Sequence, residues 1–273
     1  MENIKVSVAM TSFNGNKYIL KQLESIATQT IVPDEVIICD DQSKDNTIEI
    51  VERFIKENKL NGWVIVRNEN NMGWKKNFFK ATALTTGDII FFSDQDDIWL
   101  PEKIEIMTKM MVEKNAGCLF GRKKIIDSDD KFLSEREEQK KFTNKVNQVM
   151  FKKNFFEEKV LGCCMCINRR IANIFLSLNF PDAGHDSQCA RLALLYDTLW
   201  IMDSPVIKYR IHSNNSSGIS ADFSFGASTK SKRYSEILTS IDWMTKLLDR
   251  NDICLEKKEI IKKCIIFQKN RSD

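Results

Sequence analysis

Ile89-Ile90-Phe91-Phe92-Ser93-Asp94-Gln95-Asp96-Asp97 runs four bulky apolar residues straight into a turn that crowds three carboxylates. The apolar run is a buried strand, with the acids at its carboxyl end. Three like charges in one turn repel, so the turn calls for a cation. Hard oxygen ligands of this kind suit Mg2+ or Mn2+, which commonly share a carboxylate with waters and substrate phosphates. A polar loop that caps the helix after Pro101 is the blander reading. Against it, Ile98-Trp99-Leu100 would bury the loop rather than expose it. The glycine and distal glutamate of a calcium-binding EF-hand loop are missing.

Upstream, the same strand-then-polar-turn pattern recurs. Val6 to Met10 is a buried strand followed by Thr11-Ser12-Phe13-Asn14, and Val36 to Cys39 is another that ends in Asp40-Asp41. Apolar residues at helical spacing separate them: Tyr18, Leu20, Leu23, Ile26 and Ala27, then Ile48, Val51, Phe54 and Ile55. Trp63 to Val66 reads as a third strand, Lys75 to Thr85 as a helix, and Pro101 to Lys114 as a helix opened by proline. Strands alternating with helices predict an α/β fold, a mostly parallel central sheet with helices on both faces. In such sheets ligands sit beyond the carboxyl ends of the strands, so the three polar strand ends should converge on one edge. Asp40-Asp41 could accept hydrogen bonds from a base or ribose, or cap the helix at Thr47; Ser43 and Asp45 are better placed to cap.

The chain has 273 residues, 42% hydrophobic and 29% charged, enough for a full core. Its net charge of +3 argues against nucleic acid as the main partner. The excess is uneven: Thr229 to Asp273 carries eleven Lys/Arg against seven Asp/Glu, so the body is near neutral and the tail basic. No signal-like segment and no run of about 20 apolar residues is visible, which predicts a cytoplasmic protein. Eight cysteines, with Cys163, Cys164 and Cys166 clustered, lack a second pair or a histidine at zinc spacing. They read as small buried residues in a reducing compartment. No glycine-rich dinucleotide fingerprint or phosphate-cradling Walker loop is present, so phosphates would be handled by metal and side chains.

After Gly121 the pattern weakens. Arg122 to Lys159 reads as helices and loops over the ligand edge. Val160 to Asn168 reads as a strand, Arg169 to Leu178 and Asp186 to Tyr196 as helices, and Trp200 to Arg210 as extended. Asn214 to Ser231 reads as a flexible loop. The tail is helical and amphipathic, with stripes at Ile237, Leu238, Ile241, Met244, Leu247 and Leu248 and at Ile260, Ile261, Cys264, Ile265 and Phe267. It has two readings: packing onto the body or a second copy of the chain, or peripheral contact with an anionic membrane at its inner face.

The order Val6-to-Gly15, Asp40-Asp41-Gln42-Ser43, Asp94-Gln95-Asp96-Asp97 resembles glycosyltransferase family 2, whose members have a GT-A fold. The stretches Gly162-Cys163-Cys164-Met165, Gly184-His185-Asp186 and Tyr209-Arg210-Ile211-His212-Ser213-Asn214-Asn215 are similar to its rhamnosyltransferase branch. The resemblance spans about the first 220 residues. It implies a GT-A domain over 1–220, with a nucleotide-binding half at 1–120 and an acceptor-binding half at 121–220. A loop and helical tail at 221–273 lie outside it.

By that resemblance Asp40 and Asp41 contact the base, and Asp94 the ribose. Thr11, Phe13, Gln95 and Arg210 join them around the nucleotide sugar. Asp96 and His212 would bind Mn2+ or Mg2+, with Asp97 shaping the loop. Arg210 has a second reading, as partner of a body carboxylate, and His212 one as a structural hydrogen-bonder. Asp186 is the implied catalytic base, with N-capping as its bland reading. Trp99, Gly162, Cys163 and His185 are the implied acceptor contacts. Ile211 and Ser187 stand where the family has a polar and an aromatic residue. The activity implied is inverting transfer of rhamnose or a hexose from a UDP- or dTDP-sugar to a saccharide or lipid-linked saccharide acceptor, in bacterial cell-surface polysaccharide synthesis. The alternatives are a non-catalytic nucleotide-sugar-binding protein of the same fold and, against the character of Thr11 to Lys17, a nucleotidyltransferase.

Overall fold

The computed structural model describes residues 4–151, 160–212 and 230–270. The first part is strand and helix in alternation: β1 (Val6–Ser12), α1 (Ile19–Ala27), β2 (Glu35–Asp40), α2 (Thr47–Glu57), β3 (Trp63–Arg67), α3 (Trp74–Leu84), β4 (Ile89–Ser93), β5 (Ile98–Trp99) and α4 (Lys103–Glu113). There follow β6 (Cys118–Ile126), α5 (Glu135–Glu138), β7 (Val146–Gln148), a 3-10 turn at Gly162–Cys164, β8 (Met165–Asn168), α6 (Arg169–Leu178), α7 (His185–Leu195), β9 (Leu199–Arg210), α8 (Lys230–Leu248) and α9 (Leu255–Lys269).

One sheet runs in the order β3-β2-β1-β4-β8-β6-β9-β5, with β7 on β9. The pairs β1–β2, β1–β4 and β2–β3 are parallel, as the alternation requires. β1 is buried along its whole length, which is why it reads as an unbroken apolar run. Beyond β4 the sheet is mixed: β8 is antiparallel to both β4 and β6, whereas β6 and β9 are parallel. Helices cover both faces. Apolar side chains of α1, α2 and α4 pack with one face, around Leu23, Val51 and Met107. Those of α3, α6, α7, α8 and α9 pack with the other, around Phe78, Phe175, Leu192, Met244 and Ile261.

Three sequence expectations need correction. Arg122 to Ile126 is not a loop but the far half of β6, paired with β9 through a bulge. Its exposed and half-buried positions carry Arg and Lys, which masks a strand pattern. The strand expected from Val160 begins only at Met165. Cys254 is exposed, at the start of α9. The tail does pack onto the body: Ile241, Met244, Leu247, Ile261 and Ile265 are buried in the core shared with α6 and α7. Among the described residues no helix is long and apolar enough to cross a membrane. The loop expected at 214–231 lies almost wholly outside the described residues.

Candidate active site

Register brings the strand tips together. Ser12 lies opposite Asp40 and Met10 opposite Ser93, so the turns after β1, β2 and β4 leave the sheet side by side. Gln95 clamps the first turn: Phe13 N donates to its Oε1 and its Nε2 donates to Phe13 O, both at 2.9 Å. The fit is close, since a Cβ on Gly15 would stand 2.1 Å from Gln95 Oε1. Phe13 keeps 44% of its surface exposed at this edge, while Thr11 is buried in the ladder opposite Cys39.

The acidic pair after β2 faces inward. Asp40 has no exposed surface, and its carboxylate accepts from Ser12 Oγ (2.9 Å), Ser43 N (2.8 Å) and Ser43 Oγ (2.5 Å). This carboxylate ties the turns after β1 and β2 together. Asp41 accepts from Asn68 Nδ2, from Met72 N (both 2.9 Å) and from Gly73 N (2.8 Å), which anchors the segment that leads into α3. The same Asn68 Nδ2 donates to Asn77 Oδ1 (2.9 Å), and Asn77 Nδ2 donates to Cys39 O (2.8 Å).

In the acidic turn, Asp94, Asp96 and Asp97 remain together. Burial, then the charges of Asp96, Asp97 and Asp186, pushes the Asp94 carboxyl well above the usual range. Burial and Asp96 push Asp97 up to about 7. Asp186 lies in the first turn of α7. Asp96 Oδ2 lies 2.8 Å from His212 Nε2, whose ring centroid is 5.0 Å from that of Tyr18. The two residues proposed from sequence as metal ligands are thus in contact.

Arg210 pairs with a body carboxylate, as its second reading has it, and has no exposed surface. Its Nε donates to Asp96 O (2.7 Å) and its Nη1 to Asp127 O (3.1 Å), it pairs with Asp130, and its backbone N donates to Asp97 Oδ1 (3.0 Å). Lys103 is also fully buried: Nζ donates to Cys163 O at 2.7 Å and lies 3.6 Å from the Trp99 ring centroid, and burial draws its pKa down to about 8.

The residues expected to contact the acceptor, Trp99, Gly162, Cys163 and His185, are all buried. Trp99 is 2% exposed and closes over Lys103. Cys163 is buried, with its sulfur within 4.8 Å of carboxylate oxygens of Asp94 and Asp97. A hydrogen bond with Cys164 and burial push its thiol well up, so it stays protonated. His185 is stacked among Phe78 and Phe92, with ring centroids at 4.0 and 4.5 Å, and a Cβ on Gly162 would strike its Nε2 at 2.2 Å. Asp186 instead lines a cavity of about 1290 Å³ between α3, α7, α8 and α9.

The Glycosyl transferase family 2 model matches residues 7–174. The chain belongs to glycosyl transferase family 2. It is 32% identical over 245 residues to the dTDP-rhamnosyl transferase RfbG of Shigella flexneri, covering 81% of this chain and 77% of that one. A UDP-Glc:alpha-D-GlcNAc-diphosphoundecaprenol beta-1,3-glucosyltransferase, WfgD of Escherichia coli, is 32% identical over 130 residues, 47% of this chain and 49% of that one. Among solved structures, S. aureus TarS 1-349 in complex with UDP-GlcNAc superposes with a TM-score of 0.69 at 19% identity, over 97% of this chain and 72% of TarS. The mannosyltransferase PcManGT of Pyrobaculum calidifontis, in complex with GDP-Man and Mn2+, gives 0.60 at 15%, over 95% and 68%. The fold is GT-A.

Several residues of this glycosyltransferase site carry no sequence signal of their own. Lys103 sits in a helix where lysine is ordinarily exposed, and Asn68 and Asn77 are isolated amides. Asp127 and Asp130 do form an acidic run, but within a segment read as loop. His185 gives a testable consequence. Burial draws its pKa from 6.5 to about 4, against the opposing charge of Asp186. The unfolded chain then binds a proton below about 6.5 that the folded chain refuses until about 4. Stability should therefore fall as pH drops through that window, by up to about 1.4 kcal/mol per unit from this group. Urea unfolding between pH 4 and 7 should show a shallower slope for His185→Leu than for the natural chain; identical slopes would refute the assignment.

Proposed function

We propose that the chain is a metal-dependent, inverting glycosyltransferase that takes a UDP- or dTDP-linked rhamnose or hexose and transfers it to a saccharide hydroxyl in bacterial cell-surface polysaccharide synthesis. The observation that carries this is the acidic turn at the tip of β4, where Asp96 Oδ2 lies 2.8 Å from His212 Nε2 and ligand atoms of Asp94, Asp97 and Cys163 lie within 4.8 Å of one another. The relatives' names supply the donors, dTDP-rhamnose-type for RfbG and UDP-glucose for WfgD. The same names support a bacterial glycan as product.

The residues fit a divalent cation. Crowded carboxylates whose charge is raised in energy by one another gain from a cation, and oxygen and imidazole donors suit Mn2+ or Mg2+. Asp94, Asp97 and the Cys163 thiol also bring donor atoms together. A protonated thiol is a poor partner for a hard ion, so Asp96 and His212 are the better holders. When bound, the ion offsets charge on the departing diphosphate.

The remaining work falls to the chain itself. Asp41, beside Asn68, and the exposed ring of Phe13 form the nucleotide side of the site. Arg210 and Gln95 fix the turn that carries Asp94 and Asp96. The Asp186 carboxylate accepts the proton of the acceptor hydroxyl as that oxygen attacks the anomeric carbon from the face opposite the diphosphate, which inverts the configuration. The first 120 residues serve chiefly the nucleotide, and 121–220 carry Asp186, the base that acts on the acceptor. Eight free cysteines are in keeping with a cytoplasmic setting.

A thermal-shift series tests this reading. At about 100 times its dissociation constant, UDP or dTDP with Mn2+ should stabilise the fold by about 2.7 kcal/mol. That corresponds to a Tm rise of roughly 5–10 °C for a domain of this size. Chelation, or Asp96→Ala, should remove most of the rise. Failure of every nucleotide to raise Tm with metal present would sink the proposal.

A further inference from the structure

Resting on the glycosyltransferase reading, we propose that the cavity between α3, α7 and the tail helices α8 and α9 is the acceptor site, and that it takes the end of an oligosaccharide whose hydroxyls meet Trp243 Nε1 and Gln188 Oε1. Apart from Trp74 and Lys75, the residues that line the cavity lie outside residues 7–174, the part matched by the family model, and most of its wall comes from the tail. The tail would then be part of the machinery rather than an appendage.

Two buried polar atoms point to a ligand. Trp243 is 2% and Gln188 1% exposed, both line the cavity, and neither Trp243 Nε1 nor Gln188 Oε1 has a hydrogen-bond partner among the described residues. The amide of Gln188 is fixed, because its Nε2 donates to Phe180 O at 3.0 Å and to Ala183 O at 3.1 Å. Its Oε1 is therefore the end left to accept. Buried polar atoms without partners are rare and need an explanation. One is a donor and the other an acceptor. A sugar answers both, since each hydroxyl donates and accepts.

The walls match that chemistry. Trp74, 41% exposed, offers an aromatic surface for the apolar side of a pyranose, and Ser240 adds a hydroxyl. Trp74 is also beside the base: a Cβ on Gly184 would lie 2.8 Å from Asp186 Oδ1 and 3.4 Å from the Trp74 ring. The aromatic surface and the carboxylate thus flank one glycine, and a sugar resting on Trp74 brings a hydroxyl towards Asp186. At about 1290 Å³ the cavity exceeds the roughly 300–1,000 Å³ of ordinary small-molecule sites, which favours several sugar units over one.

The test uses the full chain and a panel of glucose-, galactose-, rhamnose- and N-acetylglucosamine-based methyl glycosides with the corresponding trisaccharides. Saturation-transfer NMR reads sugar binding, and the Mn2+-dependent Tm shift with UDP or dTDP reads the donor side. At least one trisaccharide should bind the natural chain more tightly than its methyl glycoside. Trp243→Phe, which keeps the ring and loses the N–H, should weaken it about fivefold, the factor of one hydrogen bond. Ser240→Trp, which fills the cavity, should abolish sugar binding, and both variants should keep the nucleotide shift. Sugar binding of equal strength in both variants, or none by the natural chain while its nucleotide shift is intact, overturns the acceptor site. Loss of the nucleotide shift in the natural chain overturns the donor reading instead.

Discussion

Asp186→Asn should reduce sugar transfer by a factor of about 10² to 10⁴ while leaving nucleotide binding unchanged, the range expected when a positioned general base is removed. The substitution is selective because of what Asp186 does locally. Its Oδ1 accepts from Ser187 N at 2.7 Å in the first turn of α7, and an asparagine oxygen can accept the same bond. The lost charge at the helix N-terminus costs about 0.3–1 kcal/mol, small against the stability of a domain. The charge lost is also one that pushes the Asp94 carboxyl up, so the acidic turn is if anything relieved. Transfer is therefore the property that should change. The measurement is initial rate with saturating donor, beside the nucleotide-induced Tm shift for both proteins. Transfer within about fivefold of the natural chain would exclude Asp186 as the base. An equal loss of the Tm shift would mean that the substitution acts on donor binding.

The sheet's first half was legible because β1, β2 and β4, buried along almost their whole length, are runs of apolar residues with polar tips. β4 and its acids are the clearest case. The second half was not. β6 carries Arg122, Lys123 and Lys124 at positions that are exposed or half-buried, and its partner β9 lies some 80 residues away. Local periodicity has nothing to report there, since long-range pairing decides the structure. The site divides in the same way. Crowded carboxylates at Asp94, Asp96 and Asp97 advertise themselves by their mutual repulsion. Whether a carboxylate faces ligand or protein is a tertiary matter. Asp40 turns inward because Ser12 and Ser43 happen to meet it. His185 belongs to an aromatic stack whose other rings, Phe78 and Phe92, come from α3 and β4. The residues expected from motif position to meet the acceptor, Trp99, Gly162, Cys163 and His185, are buried for that reason, and much of the wall of the cavity beside Asp186 comes from a tail that no motif covers.

Arg210→Met should destabilise the fold by about 3–5 kcal/mol, the loss seen when one partner of a buried ion pair is removed. Methionine has comparable reach and keeps the apolar packing, including the place over the Tyr18 ring, 4.5 Å from the guanidinium. What it removes is a set of directed donors. The carbonyls of Asp96 and Asp127 lose their partners at 2.7 and 3.1 Å, and Asp130 retains only Lys21. Although burial pushes Asp130 up, hydrogen bonds from Lys21 and Arg210 hold it below the ordinary carboxylate range, so the charge is present to be stranded. The backbone bond from Arg210 N to Asp97 Oδ1 survives any side chain, which confines the damage to the outer half of the turn. That half carries Asp96, and His212 follows two residues after the lesion, so the 2.8 Å contact between them should loosen. The Mn2+-dependent part of the nucleotide Tm shift should then shrink with the stability. Arg210→Lys should recover the charge but not the fork that reaches two carbonyls and a carboxylate together, and so fall between the two. Urea unfolding of the three proteins decides it: a methionine variant within about 1 kcal/mol of the natural chain would show that the turn stands without its guanidinium.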